Sequence, residues 1–200
     1  MPYGDRPVKI AVFIDNDNIE INMKSEPLEK LSMDIGWERF KIWLSSYGDM
    51  AFIFVFAPED KIRTDGKYFY KQGFIPVSCP IIINEEERRK RDSEDMELLL
   101  KEGKDREFDP LQLVPTINTT DEIMIKTAQE LIPIISRITH VCIASGDEDF
   151  LPIAKMAKKN GKKIMIMISD YKSPSKELLL QASIGPNGKK MIHLFDPIKE

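Results

Sequence analysis

Acidic side chains stand where two apolar runs of the chain end. Asp15 closes the first run, in Phe-Ile-Asp-Asn-Asp-Asn, and Asp147 and Asp149 follow a later run, in Ser-Gly-Asp-Glu-Asp-Phe. Asp121 stands at the start of a predicted helix. Carboxylates that converge repel one another, and their pKa values rise unless a cation compensates. The hard cations Mg²⁺ and Mn²⁺ take such ligands, and they can activate water against a phosphodiester.

Each acid taken alone also has a structural interpretation, because an Asp after a strand is often a turn former or a helix cap. Asp149 is predicted to cap the helix that follows it, with Pro152 in the first turn. Thr119 and Glu122 have the spacing of a capping box, which places Asp121 in the first turn of its helix. The metal interpretation is favoured only because all four acids fall on one predicted edge. Asp17 and Glu148 are expected to face solvent.

The elements that would position these acids are short apolar runs separated by amphipathic stretches. Nearly continuous apolar runs are typical of buried parallel strands, and strands that alternate with helices indicate βαβ crossovers. The sequence therefore predicts an α/β fold, a Rossmann-like three-layer α/β/α sandwich with a central, mostly parallel sheet. The predicted strands are Val8–Ile14, Met50–Phe56, Phe74–Val77, His140–Ala144, Ile164–Ile168 and Met191–Leu194. The predicted helices are Trp37–Tyr47, Ile62–Gln72, Asp121–Ile132, Phe150–Lys159 and Ser175–Ala182.

The length of 200 residues fits a single domain over residues 1–200. Residues 84–118 are the one long stretch without a clear strand or helix pattern, and we interpret them as an irregular excursion from the sheet. No internal repeat and no low-complexity linker divides the chain.

The charge of the chain is unevenly distributed. The net charge is −4, but residues 151–200 hold 10 Lys against 4 acids, whereas residues 1–150 carry a net charge of −10. Lys155, Lys158 and Lys159 cluster toward the end of one predicted helix. They are either a solvated helix end or a rim beside the acids that contacts the phosphates of a substrate.

Several classes of protein are excluded or disfavoured. Cys79 and Cys142 lack metal-ligand spacing, and two histidines are few for a histidine metal site or a Ser-His-Asp triad. No apolar run approaches the 18 or so residues of a membrane span. We expect a cytoplasmic protein with no membrane partner. The oligomeric state is left open, a homodimer being one option.

The two acidic motifs, together with the trailing Asn-Gly-Lys-Lys-Ile at 160–164, resemble the NYN domain of the PIN-like ribonuclease superfamily. The resemblance covers most of the chain outside 84–118. It implies that a Mg²⁺ or Mn²⁺ ion is held at the four catalytic acids and that the chain hydrolyses RNA. It further implies that Asn18 orients the site or a scissile phosphate and that Ser145 contributes a hydroxyl near the ion. The implied catalytic and metal-binding residues are Asp15, Asp121, Asp147 and Asp149.

The sequence departs from the family at several positions, among them Asn16 where a Gly is common, so other functions remain open. Asn118 stands where many members have Lys, and Thr127 stands where many have a further Asp. One alternative is therefore a catalytically weak or inactive NYN-type module that binds RNA or serves as a scaffold. A less favoured alternative is a haloacid-dehalogenase-like phosphohydrolase, because Asp15 and Asp17 have the spacing of its nucleophile and acid–base pair.

Overall fold

The structure, a computed structural model, describes residues 7–23, 33–87, 89–90, 93, 116–168 and 174–195. The predicted excursion at 84–118 lies mostly outside these residues. The single-domain prediction for residues 1–200 remains a prediction.

A six-stranded sheet forms the centre of the fold, in the order β3-β2-β1-β6-β7-β8. Every neighbouring pair in it is parallel. Strands β4 and β5 form a separate antiparallel pair. The strands are β1 Lys9–Asp15, β2 Asp49–Pro58, β3 Ile75–Cys79, β4 Ile81–Ile83, β5 Thr116–Asn118, β6 His140–Ala144, β7 Lys163–Ile168 and β8 Ile192–Leu194.

Helices cover both faces of this sheet, which confirms the three-layer prediction. Apolar residues of α1, α2 and α3 pack in one buried cluster with one face of the strands. Apolar residues of α4, α5 and α6 pack with the opposite face in a second cluster. The helices are α1 Asn16–Met23, α2 Met33–Ser45, α3 Glu59–Lys71, α4 Thr120–Ile134, α5 Leu151–Lys159 and α6 Lys176–Gln181. None of the helices described is long and apolar enough to cross a membrane.

Three elements differ from the sequence prediction. Helix α1 was not predicted, because Asn16–Met23 mixes polar and apolar residues without a clear apolar face. Strands β4 and β5 were not predicted either, and residues 116–118 belong to a strand rather than to an irregular excursion. Three-residue strands are too short to carry a periodic signal, so only their pairing reveals them.

The strand order reverses between β1 and β6. After β1 the chain continues to β2 on one side, whereas after β6 it continues to β7 on the other side. In open parallel sheets a crevice forms at the carboxyl ends of the strands at this point, and ligands bind there. Helices α1 and α4 both begin at that edge. The fold therefore predicts a site beside the end of β1, next to Asp15.

Candidate functional site

Strand alternation sets the direction of Asp15. Side chains of a strand alternate between its two faces, and Ala11 and Phe13 both lie in the core beneath α4 and α5. Asp15 is the next residue on that face and the last residue of β1. Only 5% of its surface is exposed. The strand thus delivers a recessed carboxylate to the helical layer that contains α4.

Two neighbours hold the Asp15 carboxylate by the same oxygen. The Asn18 side-chain amide donates to Oδ2 of Asp15 at 2.8 Å, and the Ser145 hydroxyl donates to that atom at 3.3 Å. Burial raises the pKa of Asp15 above its usual value, whereas the hydrogen bonds from Asn18 and Ser145 partly oppose that rise. Both residues that the resemblance assigned beside the ion therefore contact the central acid directly.

The loop after β6 is organised by its own polar side chains. The Asp147 backbone N–H donates to the Ser145 hydroxyl at 3.2 Å, and the Asp149 N–H donates to Oδ1 of Asp147 at 3.1 Å. Asp147 therefore caps the 3₁₀ turn Glu148–Phe150 that leads into α5. The prediction that Asp149 is the helix cap is wrong, because the short turn moves the capping position back by two residues. The carboxyl groups of Asp147 and Asp149 both remain exposed.

Gly146 allows a second segment to close against this loop. The Ser175 N–H donates to the Gly146 carbonyl oxygen at 2.7 Å. A Cβ atom on Gly146 would lie 3.2 Å from Cα of Pro174, which is tighter than ordinary packing. Glycine at this position lets the start of α6 pack against the acidic loop.

The first turn of α4 is fixed by a neighbouring segment. The Thr119 hydroxyl donates to the Pro80 carbonyl at 2.6 Å, and it makes no cap bond to its own helix. Oδ1 of Asn118 instead accepts from the Thr120 backbone N–H and from its hydroxyl. The predicted capping box of Thr119 and Glu122 is therefore wrong, although Asp121 does lie in the first turn.

Asp121 lies in the electrostatic field of the other acids. Burial first, and then the neighbouring carboxylates of Asp15, Asp147 and Asp149 in that order of importance, together raise its pKa to about 6. Asp17 adds a smaller effect of the same sign. Three segments far apart in sequence thus bring like charges together at the crevice.

Asn118 is a residue of the site that the sequence prediction did not assign. Its amide Nδ2 donates to Oδ2 of Asp17 at 3.4 Å, while its Oδ1 caps α4. It therefore links α1 to α4 on either side of the crevice. Asp17 is partly exposed and bonded to Asn118, and Glu148 is exposed as expected. The asparagine in place of the family lysine could have signalled a capping role, since asparagine favours that position.

The predicted lysine rim lies mostly away from the acids. Lys158 and Lys159 occupy the last turn of α5, whose first turn follows Asp149. The Lys158 ammonium group donates to Gln181 at 2.9 Å. Their placement beside the acids is therefore wrong, because the helix carries them toward the amino ends of the strands. Lys155 lies in the middle of α5 and is exposed. Contact of any of these lysines with RNA remains a prediction.

Lys162, which follows the end of α5, has a structural role. Its ammonium group donates to the carbonyl oxygens of Ile135, Ser136 and Ile138, at 3.3, 3.4 and 2.9 Å. These carbonyls follow the end of α4, where a cation is favourable. Part of the basic excess of the final quarter thus stabilises the fold.

The side chains at the crevice fit a hard divalent cation in their chemistry. Four carboxylates, one amide and one hydroxyl are oxygen donors of the kind that Mg²⁺ and Mn²⁺ prefer. Within the described residues, no three acidic, histidine or cysteine side chains are already grouped closely enough to hold one ion.

Comparison with models of known protein families identifies a match. The family model of the NYN domain matches residues 9–184, which is most of the chain. The matched range includes β1, the acidic loop after β6 and the start of α4. No curated protein matches the sequence.

Proposed function

The chain belongs to the NYN domain family, and from this membership and the crevice we propose that it is a metal-dependent ribonuclease. The observation that carries the proposal is the link between the recessed Asp15 at the end of β1 and the acidic loop after β6, made by the Ser145 hydroxyl. The charges of Asp15, Asp147 and Asp149 also contribute to the raised pKa of Asp121. Like charges are seldom gathered from three chain segments without a cation to offset them. Membership of a nuclease-like family agrees with a hydrolase of this kind.

We propose that Asp15, Asp121, Asp147 and Asp149 hold one Mg²⁺ or Mn²⁺ ion or a pair of such ions. An ion bound there would activate a water molecule and neutralise charge on the scissile phosphodiester. The recessed Asp15 is the best oriented donor, because two hydrogen bonds fix its Oδ2 atom. Asp147 and Asp149 are exposed and can adjust to the ion and the substrate.

Two helices and one 3₁₀ turn begin near the crevice, and their amino ends are possible contacts for the substrate phosphates. Helix α1 begins at Asn16, α4 begins at Thr120, and the turn leading into α5 begins at Glu148. The amino ends of helices carry partial positive charge, which favours a phosphate, although the N–H groups of Thr120 and Asp149 are already bonded to Asn118 and Asp147. Asn18 would orient the scissile phosphate or the ion, and Ser145 would keep Asp15 in place.

A catalytically weak RNA-binding module is the second candidate. It is favoured by Thr127, which replaces a family acid, and by the absence of a tight three-ligand group within the residues described. The haloacid-dehalogenase alternative has no support from the family match.

Cleavage of a labelled RNA in the presence of Mn²⁺ or Mg²⁺ tests the proposal. The wild-type protein should cleave the RNA, and EDTA should stop it. Asp15→Asn and Asp147→Asn should each lower the rate by at least about 100-fold, because each removes a charged donor. Asp49→Asn is the matched control, since Asp49 is an exposed acid at the start of β2, on the opposite edge of the sheet.

Equal cleavage by the wild-type protein and by Asp15→Asn would contradict the proposal and indicate a contaminating nuclease. Wild-type protein that binds RNA and Mn²⁺ but does not cleave would favour the second candidate.

A further inference from the structure

An open groove of about 490 Å³ starts at the acidic crevice and runs along the outer face of α4. Its lining residues are Asp121, Glu122, Ile125, Lys126, Gln129 and Asp149. Two of these, Asp121 and Asp149, belong to the crevice itself, so the groove is continuous with the proposed metal site. The lysines predicted from the sequence to contact phosphates lie on α5, whereas this groove runs along α4.

Lys126 is a cation in this groove with no partner among the described residues. Glu122 precedes it by four residues, the spacing at which Glu and Lys often pair on a helix. No such pair forms here, although Lys61 and Asp65 on α3 do pair at 2.8 Å with the same spacing. Gln129, one turn further along, is likewise exposed and makes no hydrogen bond within the described part of the chain. Both side chains are available as donors.

The positions of these donors relative to Asp121 suit a chain of phosphates. Lys126 is five residues and Gln129 eight residues beyond Asp121, which corresponds to about 7.5 and 12 Å of helix rise. Ile125, half-buried between them, gives the groove an apolar floor. Acidic residues dominate one end of the groove, and uncharged or basic donors dominate the other.

We propose that this groove binds the sugar–phosphate backbone of a single-stranded RNA, with Lys126 on a phosphate adjacent to the scissile one. The inference rests on the proposed function, because it assigns a substrate path to the same site. A single strand is required because the phosphate must approach Asp15, which is only 5% exposed. A flexible strand can bend into such a recess, whereas a duplex holds its phosphates on a stiff outer surface.

Binding of a labelled 12-nucleotide single-stranded RNA to the full chain, measured in EDTA at low salt, tests this inference. EDTA prevents metal-dependent cleavage, so binding is recorded separately from catalysis. Lys126→Glu should weaken binding by about tenfold. Lys126→Ala should also lower the slope of log affinity against log salt by about 0.7, the value for one phosphate contact on a single strand. Lys67→Glu, the same charge change on an exposed lysine of α3, which packs on the opposite face of the sheet, should change affinity by less than twofold.

Several results would overturn the inference. These are wild-type affinity in Lys126→Glu, equal losses in Lys126→Glu and Lys67→Glu, or no binding by the wild-type chain. A blunt duplex that competes as well as the single strand would also contradict it. Lysine-dependent binding without cleavage in Mn²⁺ would support the groove and refute the nuclease, so the two proposals fail separately.

Discussion

The Ser145 hydroxyl donates a hydrogen bond to Oδ2 of Asp15 at 3.3 Å. This bond joins the last residue of β1 to the first residue after β6, which are the two strands between which the sheet order reverses. The same hydroxyl accepts the N–H of Asp147 at 3.2 Å. One serine therefore couples the recessed acid to the exposed acids of the next strand.

Replacement of Ser145 should disturb both acids at once. We expect Ser145→Ala to lower the free energy of unfolding by about 1 kcal/mol, since it removes a donor from a buried carboxylate. The affinity for Mn²⁺ should fall several-fold, because Asp15 and the loop lose their shared anchor. Thermal unfolding and calorimetric titration of Mn²⁺ measure the two effects. Ser78→Ala, at an exposed position of β3, is the control and should change neither. An unchanged Mn²⁺ affinity in Ser145→Ala would show that the hydroxyl does not position the site.

The raised pKa of Asp121 predicts a dependence of stability on pH. Its folded value of about 6 exceeds the ordinary 3.8, so between these pH values the folded protein binds more protons than the unfolded chain. The stability of the metal-free protein should therefore fall as pH rises from about 4 to about 6, and remain lower above that. Asp121→Asn removes this penalty. With allowance for solvent screening of a half-exposed group, we expect a gain of about 1 kcal/mol at pH 7.5.

That gain corresponds to an increase in melting temperature of about 2–4 °C for a chain of this size. The measurement is thermal unfolding in EDTA at pH 4 and pH 7.5, and the variant should show no gain at pH 4. Added Mn²⁺ should then stabilise the wild-type protein more than the variant. A variant that is less stable than the wild type at pH 7.5 in EDTA would refute the electrostatic account of this crevice.

The close packing of Gly146 against Pro174 predicts that a larger residue here lowers both stability and metal affinity. Gly146→Ala places a Cβ atom 3.2 Å from Cα of Pro174, so the acidic loop or the start of α6 must shift. Overpacking of this kind costs about 1–3 kcal/mol, and the shift should also lower Mn²⁺ affinity. Gly161→Ala is the matched control, because its positive φ of 68° strains any other residue without a contact nearby. It should reduce stability but leave Mn²⁺ affinity unchanged. Equal metal affinity in both variants would show that the loop tolerates the shift.

Much of the sheet could be predicted because its strands are buried on both faces. The runs that form β1, β6 and β7 are continuous and apolar, so the sequence located them within one residue at nearly every end. Asp15 and Asp147 could be placed at the carboxyl edge for the same reason. The parallel pairing was predicted because helices separate the strands along the chain. Every neighbouring pair in the six-stranded sheet confirms that prediction.

The details of the site could not be predicted, because they depend on partners far away in sequence. The Thr119 hydroxyl bonds to the Pro80 carbonyl rather than to its own helix, and only the folded chain brings these residues together. Asn118 and Asp17 likewise meet across the crevice. The sequence placed Lys158 and Lys159 beside the acids because they follow Asp149 closely along the chain. The helix between them carries these lysines to its far end.

The most direct test of the central claim is a crystal of the wild-type protein soaked in Mn²⁺, with the ion located by its anomalous scattering. The account predicts a peak at the crevice with carboxylate oxygens of Asp15 and Asp147 at about 2.1–2.2 Å, and with Asp121 or Asp149 completing the set. The same soak of Asp15→Asn should lose the peak. No peak at the crevice in the wild-type crystal, or a peak bound only by acids elsewhere, would contradict the account.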